Sequence, residues 1–342
     1  MFYLRVLIRY LFGGPVPETP EFDEERIFWD VDLRDARDRA RHGDWQAARK
    51  VIEQAGTDWE LRGGRLGVLA DLAATDDAWL YAWLRAEPED PSAVLIQSIM
   101  LGQRAGEARG SASAANTTQE QFQNFRALSD AAAQVGQRAI DLAPPNDPLP
   151  WVEQLGNMFA DRRTVETSFD AVFDEARRRD PYNFDLHFTA LSLRCQKWYG
   201  SHEQMFAIAR NVAAAAPPGA SAVVLPLFAH FEFAMREFCW DTRTSKSLRA
   251  AKKYFRRPEV QQELDQWIAK WRAAPPNRAR LASCRQWIAL YYTMAGRRKE
   301  AKAVFDELGQ YVLPVTGWGY FFAGGEYGYL KSWWWANGVG GM

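Results

Sequence analysis

Cysteine is scarce: Cys195, Cys239 and Cys284 are the only three in 342 residues, far apart and odd in number. That spells out neither a disulfide framework nor a CxxC metal or redox site, and a reducing cytoplasm is the expected compartment. Charge of one sign is missing too. Lys and Arg number 42 against 43 Asp and Glu, so no global field recommends nucleic acid or an anionic membrane as partner. The local exception, KSLRAAKKYFRR (246–257), reads as a solvated helix face beside a few buried aromatics, because a site that tracks a nucleic-acid backbone needs several such patches in line.

Motifs are missing as well. There is no GxGxxG after a strand, no GxxxxGKS/T, no HExxH and no GxSxG elbow, so dinucleotide, P-loop, zincin and hydrolase chemistry lose their usual support. GGRLG (63–67) reads as a turn or a close helix contact. Long apolar runs are absent: Arg5 and Arg9 interrupt the opening MFYLRVLIRYLF, which is too short to span a bilayer and is followed by no small-residue cleavage site. Residues 1–12 are predicted to form an apolar and basic helix docked on the body. Peripheral membrane contact is the alternative and is not expected.

What is present is helical periodicity. Apolar residues recur at three and four, as in Leu186, Ala190, Leu191, Leu193 and Phe206, Ala209, Val212, Ala213, while period-two alternation is hardly found. The chain is predicted to be all-α. Residues 13–31 hold GGPVPETPEFDEE, rich in proline and acid, and predict a flexible linker; 106–121, GEARGSASAANTTQEQ, predicts an exposed loop inserted between helices. Prolines punctuate the rest at Pro88, Pro144, Pro181, Pro217, Pro275 and Pro314, with Pro144 to Pro181, Pro181 to Pro217 and Pro275 to Pro314 falling 37, 36 and 39 residues apart. Helix pairs of that length bury their apolar faces by stacking on one another.

Within QWIALYYTMAGRRKEAKAVFDELGQYVLP the order is Ile288, Ala289, Tyr292, Gly296, Ala301, Phe305, Pro314. This resembles the tetratricopeptide repeat, in which a large residue, a small one and an aromatic on the first helix precede a turn, then alanine and an aromatic on the second. Weaker copies are HGDWQAARKVIEQAG with Gly43, Ala48, Ile52 and Ala55, FDAVFDEARRRDP with Phe173, Ala176 and Pro181, and YGSHEQMFAIARNVAAAAP with Gly200, Met205, Ala209, Val212 and Pro217. The stretch from 220 to 275 departs from the pattern. KWYGSHEQMF, DPYNFDLHF and AAAAPPGAS are also similar to stretches of uncharacterised actinobacterial proteins of this helical type, a resemblance that implies no activity. The resemblance implies an α-solenoid of stacked antiparallel helix pairs over residues 32–314, closed by an aromatic, glycine-rich segment at 315–342.

Three of the four histidines, His187, His202 and His230, fall close together in sequence with Asp185, Glu203, Glu232 and Cys239. On neighbouring helices of a stacked array they could converge on one groove and suit zinc or non-haem iron. Against this, His202 reads as a helix-start residue with Ser201 capping and Glu203 in the favourable first turn, and His187 and His230, set among phenylalanines, read as core residues. His202 with Glu203 is the candidate acid–base pair. Lys197 and Trp198 offer an amphipathic platform for a ligand, or else a solvated ammonium and a packed indole. Fifteen tryptophans are present, and pairs four apart, Trp79 with Trp83 and Trp267 with Trp271, read as core ridges.

The sequence therefore predicts a cytoplasmic binding scaffold holding a peptide or protein partner, with no nucleic acid and no cofactor. The alternative is an enzyme of a secondary pathway, possibly metal-dependent, sited around His187, His202 and His230. The tail GWGYFFAGGEYGYLKSWWW (317–335) is predicted to cover the molecule's own apolar end, with at least one of Trp333, Trp334 and Trp335 left partly exposed because successive helical side chains turn by about 100 degrees.

Overall fold

Helices begin where the sequence supplies an acceptor for their unpaired N–H groups. The carboxylates of Asp30, Asp44, Asp58, Asp90 and Asp161 cap the helices that follow them, and Asn183, Ser201 and Thr244 do the same with an amide or hydroxyl oxygen. The computed structural model describes residues 18–23, 30–110 and 118–340, and over them the chain is all-helical, with 17 α-helices and no strand. Among the described residues no helix is long and apolar enough to cross a membrane. The helix predicted over 1–12 lies outside the described residues.

The chain divides into two compact units, and the division falls in sequence at 195–200. The first unit, residues 30–194 with 198–200, contains α1 (Val31–Arg41), α2 (Trp45–Gln54), α3 (Trp59–Thr75), α4 (Ala78–Ala86), α5 (Pro91–Arg109), α6 (Gln119–Leu142), α7 (Leu149–Asn157), α8 (Arg162–Arg179) and α9 (Phe184–Leu193). Its core holds Trp79 and Trp83 on one face of α4, with Trp45 stacked on Trp83 at 5.8 Å. The buried Arg65 guanidinium pairs with Asp30 at 2.8 Å and donates to the Val51 carbonyl, so the charge is neutralised where water is excluded. The loop predicted over 106–121 is shorter than expected. Residues up to Arg109 continue α5 and residues from Gln119 open α6, because Thr118 and Gln121 form a reciprocal capping box that starts the helix inside the polar stretch.

The second unit holds residues 18–23, 195–197 and 201–340, with α10 (His202–Ala215), α11 (Leu225–Ala234), α12 (Ser245–Phe255), α13 (Pro258–Arg272), α14 (Leu281–Ala295), α15 (Arg298–Leu308), α16 (Trp318–Phe321) and α17 (Gly325–Ala336). The stretch that departed from the repeat pattern contains a 3-10 turn at Ser221–Val224 and a π turn at Met235–Cys239. Residues 18–23, read as linker, are instead pinned. Glu21 bridges Tyr311 through backbone bonds of 2.8 and 2.9 Å to Gln310 and Val312, and the Phe22 ring meets Tyr329 edge-on at 6.2 Å. A polar segment is ordered here by backbone bonds to residues far away in sequence, which composition does not reveal.

The segment read as the best-formed repeat contains two helices joined by a tight turn. Gly296, in the left-handed conformation at φ 80°, turns α14 into α15, and Ile288, Ala289, Ala301 and Phe305 are buried. Gly43 turns α1 into α2 likewise, burying Ala48 and Ile52. The C-terminal segment is clamped to α14 by one amide. Gln286, 2% exposed, donates through Nε2 to the Leu313 carbonyl at 2.8 Å, and its Oε1 accepts from the Val315 N–H at 3.1 Å and from the Trp318 indole at 3.2 Å.

Two outcomes follow from this packing. Ala301→Trp should overfill the α14–α15 contact and cost about 1–3 kcal/mol in urea unfolding; an unchanged midpoint would mean that residue 301 faces solvent. Gln286→Met keeps the volume but leaves the buried Trp318 indole and the backbone of Leu313 and Val315 without their partner, so about 1–3 kcal/mol should be lost and proteolysis near 313–318 accelerated. Equal stability of this variant would show that the clamp contributes nothing.

Candidate functional site

Each histidine has its own partner, and the three are not gathered. His187, in α9 of the first unit, donates from Nε2 to the Pro181 carbonyl at 2.9 Å, which fixes the tautomer and leaves Nδ1 buried without a partner. Burial pushes its pKa down to about 4, so the ring is neutral through the physiological range. In the second unit His230 accepts at Nδ1 from the Tyr254 hydroxyl at 2.6 Å and donates from Nε2 to Glu263 at 3.3 Å. Burial lowers the His230 pKa. The Glu263 carboxyl, which burial alone would raise, is held below the usual carboxylate range by its hydrogen bonds from His230 and Arg210.

His202 opens α10, as expected from Ser201, but its Nε2–H donates to Glu237 at 3.0 Å, and Glu203 is merely an exposed first-turn acid. The His202–Glu203 acid–base pair is therefore not formed, because adjacent first-turn residues project in different directions. Among the described residues no group of three His, Cys, Asp or Glu side chains is placed to hold a metal ion. Closeness in sequence did not become convergence.

Lys197 and Trp198 also part company. The Lys197 ammonium pairs with Glu232 at 2.8 Å and lies 5.4 Å from the centre of the Tyr320 ring, while the Tyr320 hydroxyl donates to the same carboxylate at 2.9 Å. Glu232 is buried, so this lysine neutralises a core charge instead of waiting for a ligand. Trp198 belongs to the first unit and is 37% exposed. A tight loop presents it. Gly200 lies where a side chain would collide with the Arg194 carbonyl, and Tyr199 is tied by its N–H to the Leu193 carbonyl at 3.1 Å and by its hydroxyl to the Phe159 carbonyl at 2.7 Å.

The exposed face of Trp198 lines a groove of about 580 Å³ built wholly within the first unit. The C-terminal half of α5 supplies Gly102, Gln103 and Arg109, the start of α6 supplies Phe122 and Phe125, and the end of α7 supplies Glu153 and Asn157, with Phe159 set edge-on to Trp198 at 5.0 Å. Small residues open it: a Cβ at Gly102 would stand 3.5 Å from Asn157 Oδ1 and 3.7 Å from Glu153 Oε1. The polar atoms of the wall are incompletely matched. Gln103 Oε1 and Asn157 Nδ2 are buried without partners.

Glu153 is the group with unusual chemistry. Burial raises its carboxyl from 4.5 to about 7, partly offset by the Ser98 hydroxyl 3.2 Å away. Ser98 also lies 3.0 Å from the Ala132 carbonyl and has one proton to give. When Glu153 is protonated it can donate to Ser98 while Ser98 donates to Ala132, so the neutral acid leaves neither Ser98 nor Ala132 without its hydrogen bond. Apart from Trp198, sequence reading missed this site because its residues come from several helices and a loop; the glycines Gly102 and Gly106 within a helical stretch were the available signal.

The folded state holds the Glu153 proton up to about pH 7 whereas the unfolded chain releases it near 4.5, so this group's contribution is undiminished below the lower value and falls as the pH rises toward the upper. Glu153→Gln removes the titration. In urea unfolding the variant should gain roughly 1–3 kcal/mol on the wild type between pH 5 and pH 8; a pH-independent difference would mean a solvated carboxylate.

Compared with known proteins, the chain matches no family model, no curated protein and no solved structure, so the chemistry of the site rests on its geometry.

Proposed function

We propose that the protein is a cytoplasmic binding scaffold of tetratricopeptide-like helix pairs and that the groove of its first unit holds a short peptide segment of a protein partner. One observation carries this: an amide acceptor and an amide donor, Gln103 Oε1 and Asn157 Nδ2, stand without partners in the wall of an aromatic-sided groove. Each buried polar atom left unpaired costs about 1–3 kcal/mol, and a peptide backbone supplies both an N–H and a carbonyl to remove that cost once the two amides turn toward it. Phe122, Phe125, Phe159 and Trp198 supply flat apolar surface for the side chains. The volume lies within the roughly 300–1,000 Å³ typical of ligand sites, which suits a short segment rather than a folded domain. No cofactor belongs to this reading.

A second reading, an enzyme of a secondary pathway, keeps one supporting observation, a Glu153 carboxyl near neutrality beside the groove, which is the property a general acid–base needs. Its version centred on His187, His202 and His230 has lost its geometric basis.

The discriminating experiment is selection from a displayed random-peptide library on the full-length protein, followed by titration of the selected peptides. Trp198→Ala and Asn157→Ala should each weaken binding by about tenfold or more, as truncation of a central contact does. No selected peptide, or peptides indifferent to both substitutions, would sink the scaffold reading. Turnover of a selected ligand that Glu153→Gln abolishes while binding persists would favour the enzyme.

A further inference from the structure

The polar end of the groove in the first unit is built from acceptors. A single point beside α5, where a Cβ on Gly102 would stand, lies 3.5 Å from Asn157 Oδ1 and 3.7 Å from Glu153 Oε1. Both oxygens come from α7 and look across this gap. Next along α5, Gln103 has its Nε2 committed to Asp71 Oδ1 at 2.6 Å, so that Oε1 is the atom left buried in the same wall with nothing to accept from. Of these three groups only Glu153 can carry a charge.

What fills such a gap must bring donors. A backbone N–H brings one, whereas an ammonium brings three and a guanidinium five, with a positive charge that makes each bond to a carboxylate the stronger, charge-assisted kind. The surrounding charges leave that place open. No ionised side chain on α5, α6, α8 or α9, the helices packed on α7, acts on Glu153, and among the described residues no Lys, Arg or His pairs with it. Arg109, the cation of the lining, stands on α5 about 10 Å along the axis from Gly102. Tyr199, the other ionisable group there, is kept protonated by burial, with its hydroxyl on the Phe159 carbonyl. Beside the acceptors the wall consists of rings, Phe122, Phe125, Phe159 and Trp198. Rings and a carboxylate in one cavity suit a cation on an apolar stem.

We propose that the segment held by the groove is anchored by a basic side chain, lysine or arginine, whose stem lies along the rings and whose charged head is met by Glu153, Asn157 Oδ1 and Gln103 Oε1. This rests on the peptide reading of the same groove and adds the class of residue that the groove selects. Because Glu153 holds its proton to about pH 7, the cation enters best once that proton has left. Binding therefore releases a proton to solvent and tightens as the pH rises.

The test titrates the peptides selected on the full-length protein beside versions in which each Lys is replaced in turn by norleucine and each Arg by citrulline, at pH 6 and at pH 8. At pH 8 replacement of the anchor should weaken binding about tenfold or more, the loss of a charge-assisted contact. Wild-type binding should be about tenfold tighter at pH 8 than at pH 6, as the ionised fraction of Glu153 rises from about one tenth to about nine tenths, and Glu153→Gln should abolish that difference. Exchanging Lys for Arg in one peptide tells the two sources apart. Peptides that lose affinity with Trp198→Ala yet tolerate norleucine and citrulline everywhere would overturn the proposal and leave the peptide reading standing. So would an affinity that rises with pH no more in the wild type than in Glu153→Gln. If no peptide is selected, the peptide reading fails and the cation is tested alone, by calorimetric titration of n-butylammonium chloride against n-butanol. Saturable binding to the wild type that Glu153→Gln and n-butanol both lack supports the cation site, and its absence overturns it.

Discussion

A polar side chain taken out of water must find a partner, and this constraint organises both units. Gln286 meets it with three hydrogen bonds that hold the C-terminal segment on α14. Glu232 meets it with Lys197 and Tyr320, and Arg65 with Asp30 and the Val51 carbonyl. Each of these bonds joins residues remote in sequence, so each also selects one packing of helices whose apolar faces could associate in several ways. Apolar burial drives the helices together, and the buried polar groups decide the register.

The same constraint is not met in the wall of the groove of the first unit, which holds unpaired amide atoms and a carboxyl that keeps its proton to about pH 7. In the function proposed for it, the groove takes a donor and an acceptor set among apolar groups, as a peptide backbone is.

Helices and turns were legible in the sequence because their signals are local. Gly296, Ala301 and Phe305 announce a helix pair by spacing alone, and the Asp, Asn, Ser and Thr caps lie one residue before the helices they start. The sites were not legible, because sequence neighbours need not be spatial neighbours. Lys197 and Trp198 are adjacent, yet one closes an ion pair in the second unit and the other lines the groove of the first. His187, His202 and His230 looked like a cluster and are three separate hydrogen-bonded residues. Conversely Glu21 pairs with Tyr311, a contact no local pattern contains. The basic stretch 246–257 is the solvated face its composition suggests, beside the buried Tyr254 and Phe255, except at Lys252, because composition does not say which of several lysines faces inward.

The tail shows how a sequence that looks made for an external surface can be satisfied internally. Trp333 and Trp334 are both buried, their rings 5.1 Å apart and inclined by 82°, and Trp335 is left half-exposed, as the roughly 100° turn between successive helical side chains requires. Trp318 and Tyr329 are wholly buried and both lie against Phe305, at 6.1 and 5.2 Å, so the aromatic segment continues the core begun by the α14–α15 pair. Gly328 allows this closeness: a Cβ there would come within 2.7 Å of the Phe322 ring. Gly328 thus serves packing rather than looseness.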